Sequence, residues 1–129
     1  MTNKVKLYYN EDHTAYAVLI SPGWGSGWFT ANPEYPEIAY DARVVEWYLA
    51  HDSPEYWANV GFLKTSSDAY LETRKFFDNL GYTDLYFGGF KTGMLRWVPV
   101  DAIWRIEEYD GAERIEYLDL REWNQFKDD

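Results

Sequence analysis

Gly23, Gly25 and Gly27 stand at alternate positions with Trp24 and Trp28 set among them, so the segment 21–29 is the first place to look for chemistry. A phosphate loop needs Gly-x-x-x-x-Gly-Lys-Ser/Thr, whose backbone amides cradle the oxyanion while the lysine meets its charge. Here Gly27 is followed by Trp28 and Phe29, and the next basic residue is Arg43. The dinucleotide pattern Gly-x-Gly-x-x-Gly fails as well, because the glycines are evenly spaced and no helix start follows them. Three readings stay open: a connection that lets two indoles reach the core, a loop that displays a ring to a protein partner, or a nucleotide or other small-ligand site built on stacking.

His13 and His51 are the only histidines, each beside an aspartate. Sequence neighbours do not point at one another, and no serine sits in a nucleophile elbow, so no triad is expected and both belong at the surface. The chain has no cysteine, which excludes disulfides and sulfur-bound zinc. Neither a His-x-x-x-His pair nor a calcium-loop spacing occurs, so no metal site is expected. Glu107 and Glu108 are adjacent on an expected strand, face opposite ways, and cannot share a proton. The expectation is a protein without catalytic residues or cofactors.

Alternate strand residues lie about 6.6 Å apart, near the phosphate spacing of a nucleic-acid strand. Glu107, Glu108, Asp110, Glu113, Glu116, Asp119 and Glu122 can therefore form an acidic row that imitates a duplex backbone, interrupted by Arg105, Arg114 and Arg121, or they are simply a solvated face. Twenty-two acids against twelve bases give a net charge of −10 in 129 residues. That surplus disfavours direct nucleic-acid binding, whose affinity comes from Lys and Arg, and attracts a basic or nucleic-acid-handling protein partner. The alternative is that one-signed charge keeps the protein soluble. Phe, Trp and Tyr make up 20% of the chain, which either fills a core poor in Leu and Ile or lines a contact surface.

These residues need a scaffold, and the length predicts a single domain over 1–129 with one core. No apolar run is long enough to span a bilayer and the first residues carry no secretion-signal pattern, so a cytoplasmic protein is expected. Lys4 to Tyr9 and Ala15 to Ile20 read as a first hairpin around the turn formers Asn10 to His13. Residues 21–40, broken by Pro33 and Pro36, read as one long ordered connection. Asp41 caps a helix with Val44, Val45, Tyr48 and Leu49 on its apolar face. Ser53-Pro54-Glu55 starts a short second helix, and a third runs from about Ser66-Ser67-Asp68 to Gly81. Strands are expected at Leu85 to Phe87, Leu95 to Val98, Ala102 to Glu108 and Glu113 to Leu118.

The last pair is specified in detail. Asp110-Gly111 between alternating runs is a type I′ turn, and a two-residue loop pairs Tyr109 with Ala112, Glu107 with Arg114, Ile106 with Ile115, Arg105 with Glu116 and Trp104 with Tyr117. Trp104, Ile106, Ile115 and Tyr117 then share the apolar face, crossed charges share the other, and Glu108 opposite Glu113 is assigned to a tip in water. The fold class is α+β: an antiparallel sheet of about five strands with two or three helices packed on one side.

Two blocks also carry a resemblance. Ile20-Ser21-Pro22-Gly23-Trp24-Gly25-Ser26-Gly27-Trp28 with Glu34-Tyr35-Pro36-Glu37, and Gly88-Gly89, Trp97-Val98-Pro99 and Trp104-Arg105-Ile106-Glu107-Glu108-Tyr109-Asp110-Gly111, together resemble small acidic proteins of tailed phages and prophages. The likeness carries no catalytic residue. It implies a phage setting, in which small, cofactor-free acidic proteins bind and disable host machinery such as restriction or CRISPR defence. The expected partner surface joins the rings Trp24, Trp28 and Tyr35 with the acids Glu107, Glu108, Asp110, Glu113 and Glu116.

Overall fold

The computed structural model describes residues 5–23, 28–51, 56, 67–87 and 93–119. The expected short helix at Ser53 and the positions Trp24, Gly25 and Gly27 lie outside the described residues. In chain order the elements are β1 (Ala15–Ile20), α1 (Ala42–Ala50), α2 (Asp68–Asn79), β2 (Met94–Pro99), β3 (Trp104–Tyr109) and β4 (Ala112–Tyr117). The α+β class holds, but the described strands form two antiparallel ladders, β1 with β2 and β3 with β4, in place of one sheet of about five strands.

β1 is central. Its residues Ala17 to Ile20 are buried, and their alternation sends side chains to two different cores. Leu19 packs with Trp28, Ile38, Val44, Phe77, Tyr82, Leu85 and Phe87 on the helix side. Val18 and Ile20 pack with Ala39 and Val98 on the opposite side, where Trp104, Ile106, Ile115 and Tyr117 of the final hairpin close over them. Helices cover one face of the β1–β2 ladder and the β3–β4 hairpin covers the other.

Strand β1 pairs with β2 from Ala15 opposite Pro99 to Ile20 opposite Met94. The segment expected as its hairpin partner makes only an isolated bridge, Tyr9 with Tyr16. Its bonds to β1 are Ala17 N–H to the Tyr8 carbonyl at 2.8 Å and Asn10 N–H to the Ala15 carbonyl at 2.9 Å. Beyond them the same edge belongs to Ala39, whose carbonyl accepts from Leu19 N–H at 2.7 Å, while the Lys6 carbonyl turns to Ala42 N–H at 2.8 Å. Two chain segments share the edge, so neither extends into a strand.

Leu85 to Phe87 is likewise not a strand. The Asn32 side chain takes both backbone groups of Tyr86, accepting from its N–H at 2.9 Å and donating to its carbonyl at 2.7 Å. Leu85 and Phe87 point into the core on either side of this clasp.

The local signals at the helices hold. Asp41 accepts from Arg43 N–H and Ser67 from Tyr70 N–H, each closing a helix start. Leu49, expected on the apolar face of α1, is exposed, whereas Thr73 of α2 is buried. The last hairpin has the expected register, residue for residue, and the positive φ values of Asp110 and Gly111, 53° and 86°, are those a type I′ turn requires.

Candidate functional site

The buried polar centre of the molecule joins the glycine segment to the last hairpin. Glu113, 1% exposed, shares the inward face of β4 with Ile115 and Tyr117, since side chains repeat with period two. One carboxyl oxygen accepts from Ser21 N–H at 3.0 Å. The other accepts from Trp28 N–H at 3.0 Å, Thr30 N–H at 2.8 Å and the Thr30 hydroxyl at 2.8 Å. Glu113 N–H in turn donates to the Ser21 carbonyl at 2.9 Å. Both ends of the glycine segment are thus tied to one side chain.

The chemistry of the loop follows directly. Backbone amides converging on oxygen atoms are what a phosphate loop offers its ligand. Here the amides at both ends of the segment already meet an internal carboxyl group.

Glu113 is therefore a clasp within the fold and no part of a solvated acidic surface: it stands opposite Glu108 near the turn as expected, but it is buried and does not meet water. Trp28, expected as an exposed ring, is 0% exposed, its ring 5.8 Å from Phe77, so it is packed in the core. Tyr35 is partly buried, its ring edge-on to Tyr82 at 5.1 Å and its hydroxyl donating to the Thr83 carbonyl at 3.0 Å. Gly23 lies at the margin of the loop, half-buried.

Glu122 lies outside the described residues, and the other acids of the described hairpin do not form a row. Glu107 and Glu116 lie on the outward face, where both grip Arg105, at 2.6 and 2.8 Å. Arg105 does the bridging expected of both arginines. Glu108 belongs to the inward phase of β3 and accepts from Gly111 N–H at 2.9 Å within the turn, and Asp110 occupies the turn itself. A ladder of evenly spaced free carboxylates, the requirement for imitating a phosphate backbone, is absent from this hairpin.

A second buried acid supports α1. Asp41 accepts from Arg43 N–H at 2.9 Å, from the Arg43 guanidinium at 3.0 and 2.7 Å, and from the Tyr82 hydroxyl at 2.7 Å. Burial is the largest influence and opposes its ionisation, yet the bonds from Arg43 and Tyr82 together outweigh it and hold Asp41 below the usual carboxylate range. Burial, then the bond to Asp41, pushes the Tyr82 phenol above its ordinary value. His51 is partly buried, with its ring against Trp47 at 3.9 Å and Tyr56 at 4.8 Å. His13 is exposed and stacks on Tyr9 at 4.7 Å. The two imidazoles are packed onto rings with no nucleophile beside them in these contacts. Among the described residues no group of three or more His, Asp or Glu could hold a metal ion.

Exposed large apolar residues occur on several elements, with Leu71 on α2 and Met94 and Trp97 on β2 among them, and the most exposed are on the last hairpin. On the outward face of the β3–β4 hairpin, Tyr109 is 68% exposed, Ile103 61% and Leu118 49%. Ile103 and Leu118 are neighbours across the base of the hairpin, joined by the bond from Leu118 N–H to the Ile103 carbonyl at 2.7 Å. The sequence reading missed these residues. The signal was present, because the outward phase of a hairpin in water should be polar throughout and here it begins and ends with large apolar groups.

Among the described residues no helix is long and apolar enough to cross a membrane. Comparison of the chain with protein-family models, with curated proteins and with solved structures returns no match.

Proposed function

We propose that this protein acts by binding another protein, through the outward face of the β3–β4 hairpin, and performs no bond chemistry of its own. The carrying observation is the exposure of Ile103, Leu118 and Tyr109 beside the ion-paired cluster of Arg105, Glu107 and Glu116. Apolar anchors beside an ion-paired polar patch are what a protein interface uses. The net charge of −10 favours a basic partner and speeds its approach. The resemblance to small acidic phage proteins adds a setting: the partner belongs to host defence machinery, and binding disables it. The glycine and tryptophan segment is the weaker alternative, since its described amides already serve Glu113.

The test is retention of host proteins on the immobilised chain. The parent is expected to hold a basic protein at low salt, and the double variant Ile103→Ser/Tyr109→Ala to weaken it by about tenfold or more. Trp97→Ala, on the other ladder, is expected to leave retention unchanged. Equal retention by the double variant, or none by the parent, would defeat the reading.

A further inference from the structure

Among the described residues, the final hairpin has one edge held and one edge without a backbone partner. A two-residue turn makes Tyr109 and Ala112 a hydrogen-bonded pair, and the phase alternates along an antiparallel ladder from there. The bond from Leu118 N–H to the Ile103 carbonyl has the same phase at the other end. The backbone groups of Arg105, Glu107 and Tyr109 therefore turn toward β4, and those of Trp104, Ile106 and Glu108 turn away from it. On β4 the outward set begins at Glu113, whose N–H meets Ser21. On β3 the outward groups of Trp104, Ile106 and Glu108 make no backbone hydrogen bond among the described residues.

Open edges are commonly defended by charges that repel a second copy. The charges of β3 do the opposite. With a twofold axis at Ile106, Ile106 faces its own copy, Trp104 faces Glu108 and Arg105 faces Glu107. Every outward N–H and C=O of the three residues then meets a partner. Across the outward face, Glu116, Arg105, Glu107 of the second copy and Arg114 of the second copy stand in line with alternating sign. Moving the axis to residue 105 sets Arg105 against Arg105, and moving it to residue 107 sets Glu107 against Glu107. Hydrogen-bond phase allows these neighbouring registers, and charge rejects them.

We propose that two copies of this chain associate at the β3 edge as a symmetric dimer, with the strand order β4–β3–β3–β4. The contact is isologous, as a twofold interface must be. In this register Ile103 of one copy stands opposite Tyr109 of the other on the outward face, so the dimer draws on positions that the partner-binding reading also uses, and variants at Arg105 and Glu107, which leave Ile103 and Tyr109 in place, test it separately.

Sedimentation equilibrium tests it. The parent mass is expected to rise from 15.3 kDa toward twice that value as concentration increases over roughly 10 µM to 1 mM, a range suited to a small contact. Arg105→Glu makes both facing positions acidic and Glu107→Arg makes both basic, so each variant alone is expected to remain monomeric. An equimolar mixture of the two restores both opposite-sign pairs and is expected to recover the dimer. A parent that stays monomeric, single variants that associate as the parent does, or a mixture that fails to associate overturns the proposal. Should either variant not fold, amide exchange on the parent decides. Trp104, Ile106 and Glu108 amides are expected to slow with increasing concentration, and concentration-independent exchange contradicts the dimer.

Discussion

Glu113 and Glu116 stand three residues apart on β4 and carry the same side chain, yet one is enclosed and the other faces water. The odd spacing puts them on opposite faces. Glu113 meets three backbone amides and a hydroxyl, groups that lose their hydration on burial and need an acceptor. Glu116 meets Arg105, at 2.8 Å and within reach of solvent. An acidic residue in this hairpin is thus assigned its role by strand phase and by what lies opposite, and a count of acids cannot distinguish a clasp from a surface.

Removing each side chain should separate the two faces sharply. Glu113→Ala leaves buried amides without an acceptor, and since each such group costs about 1–3 kcal/mol, a loss of about 4 kcal/mol in urea unfolding is expected. A loss under about 1 kcal/mol would place water or another acceptor at those amides.

Asn32 extends the comparison to a neutral clasp. It bonds the Trp28 carbonyl at 2.7 Å as well as both backbone groups of Tyr86. Asn32→Ala is expected to lose about 3 kcal/mol, read from the same unfolding curves. Asn32→Asp keeps the acceptor and loses the donor, so a stability equal to the parent would contradict the assignment.

Asp41 sharpens the contrast through pH. Its folded pKa is depressed, so its contribution is complete above the ordinary carboxylate value of about 4 and disappears as pH falls through the folded value. Asp41→Asn is expected to lose about 1–2 kcal/mol at neutral pH and to flatten the acid side of the stability profile. An unchanged acid slope would sever the link to Arg43 and Tyr82.

The smallest effect is expected at Glu116. Glu116→Ala should change stability by less than about 1 kcal/mol, because an accessible ion pair is screened and Arg105 keeps Glu107. A larger loss would mean that the outward cluster holds the hairpin together.

The hairpin register was legible because a two-residue turn and strict alternation leave no competing pairing. The caps at Asp41 and Ser67 were legible for the same local reason. The β1–β2 ladder was not, since Ile20 and Met94 meet across most of the chain and no local pattern records such a pairing. Leu85 to Phe87 read as a strand because a side-chain amide imitates a strand partner without leaving a periodic trace. Glu113 was misread although its phase was known: placing it with Ile115 and Tyr117 already put it inside. The missing premise was that an amide-rich loop lay beneath it. Of the expected partner surface, Trp28 and Glu113 turned out to be interior, and the exposed apolar residues came from positions valued only as strand formers.

Hydrogen exchange of the Ser21, Trp28 and Thr30 amides tests most directly whether the glycine segment is held by an internal acceptor. In the parent these amides should exchange as slowly as those of β1, and Glu113→Ala should speed them selectively while Glu116→Ala leaves them unchanged. Rapid exchange in the parent, or protection that survives Glu113→Ala, would contradict the account.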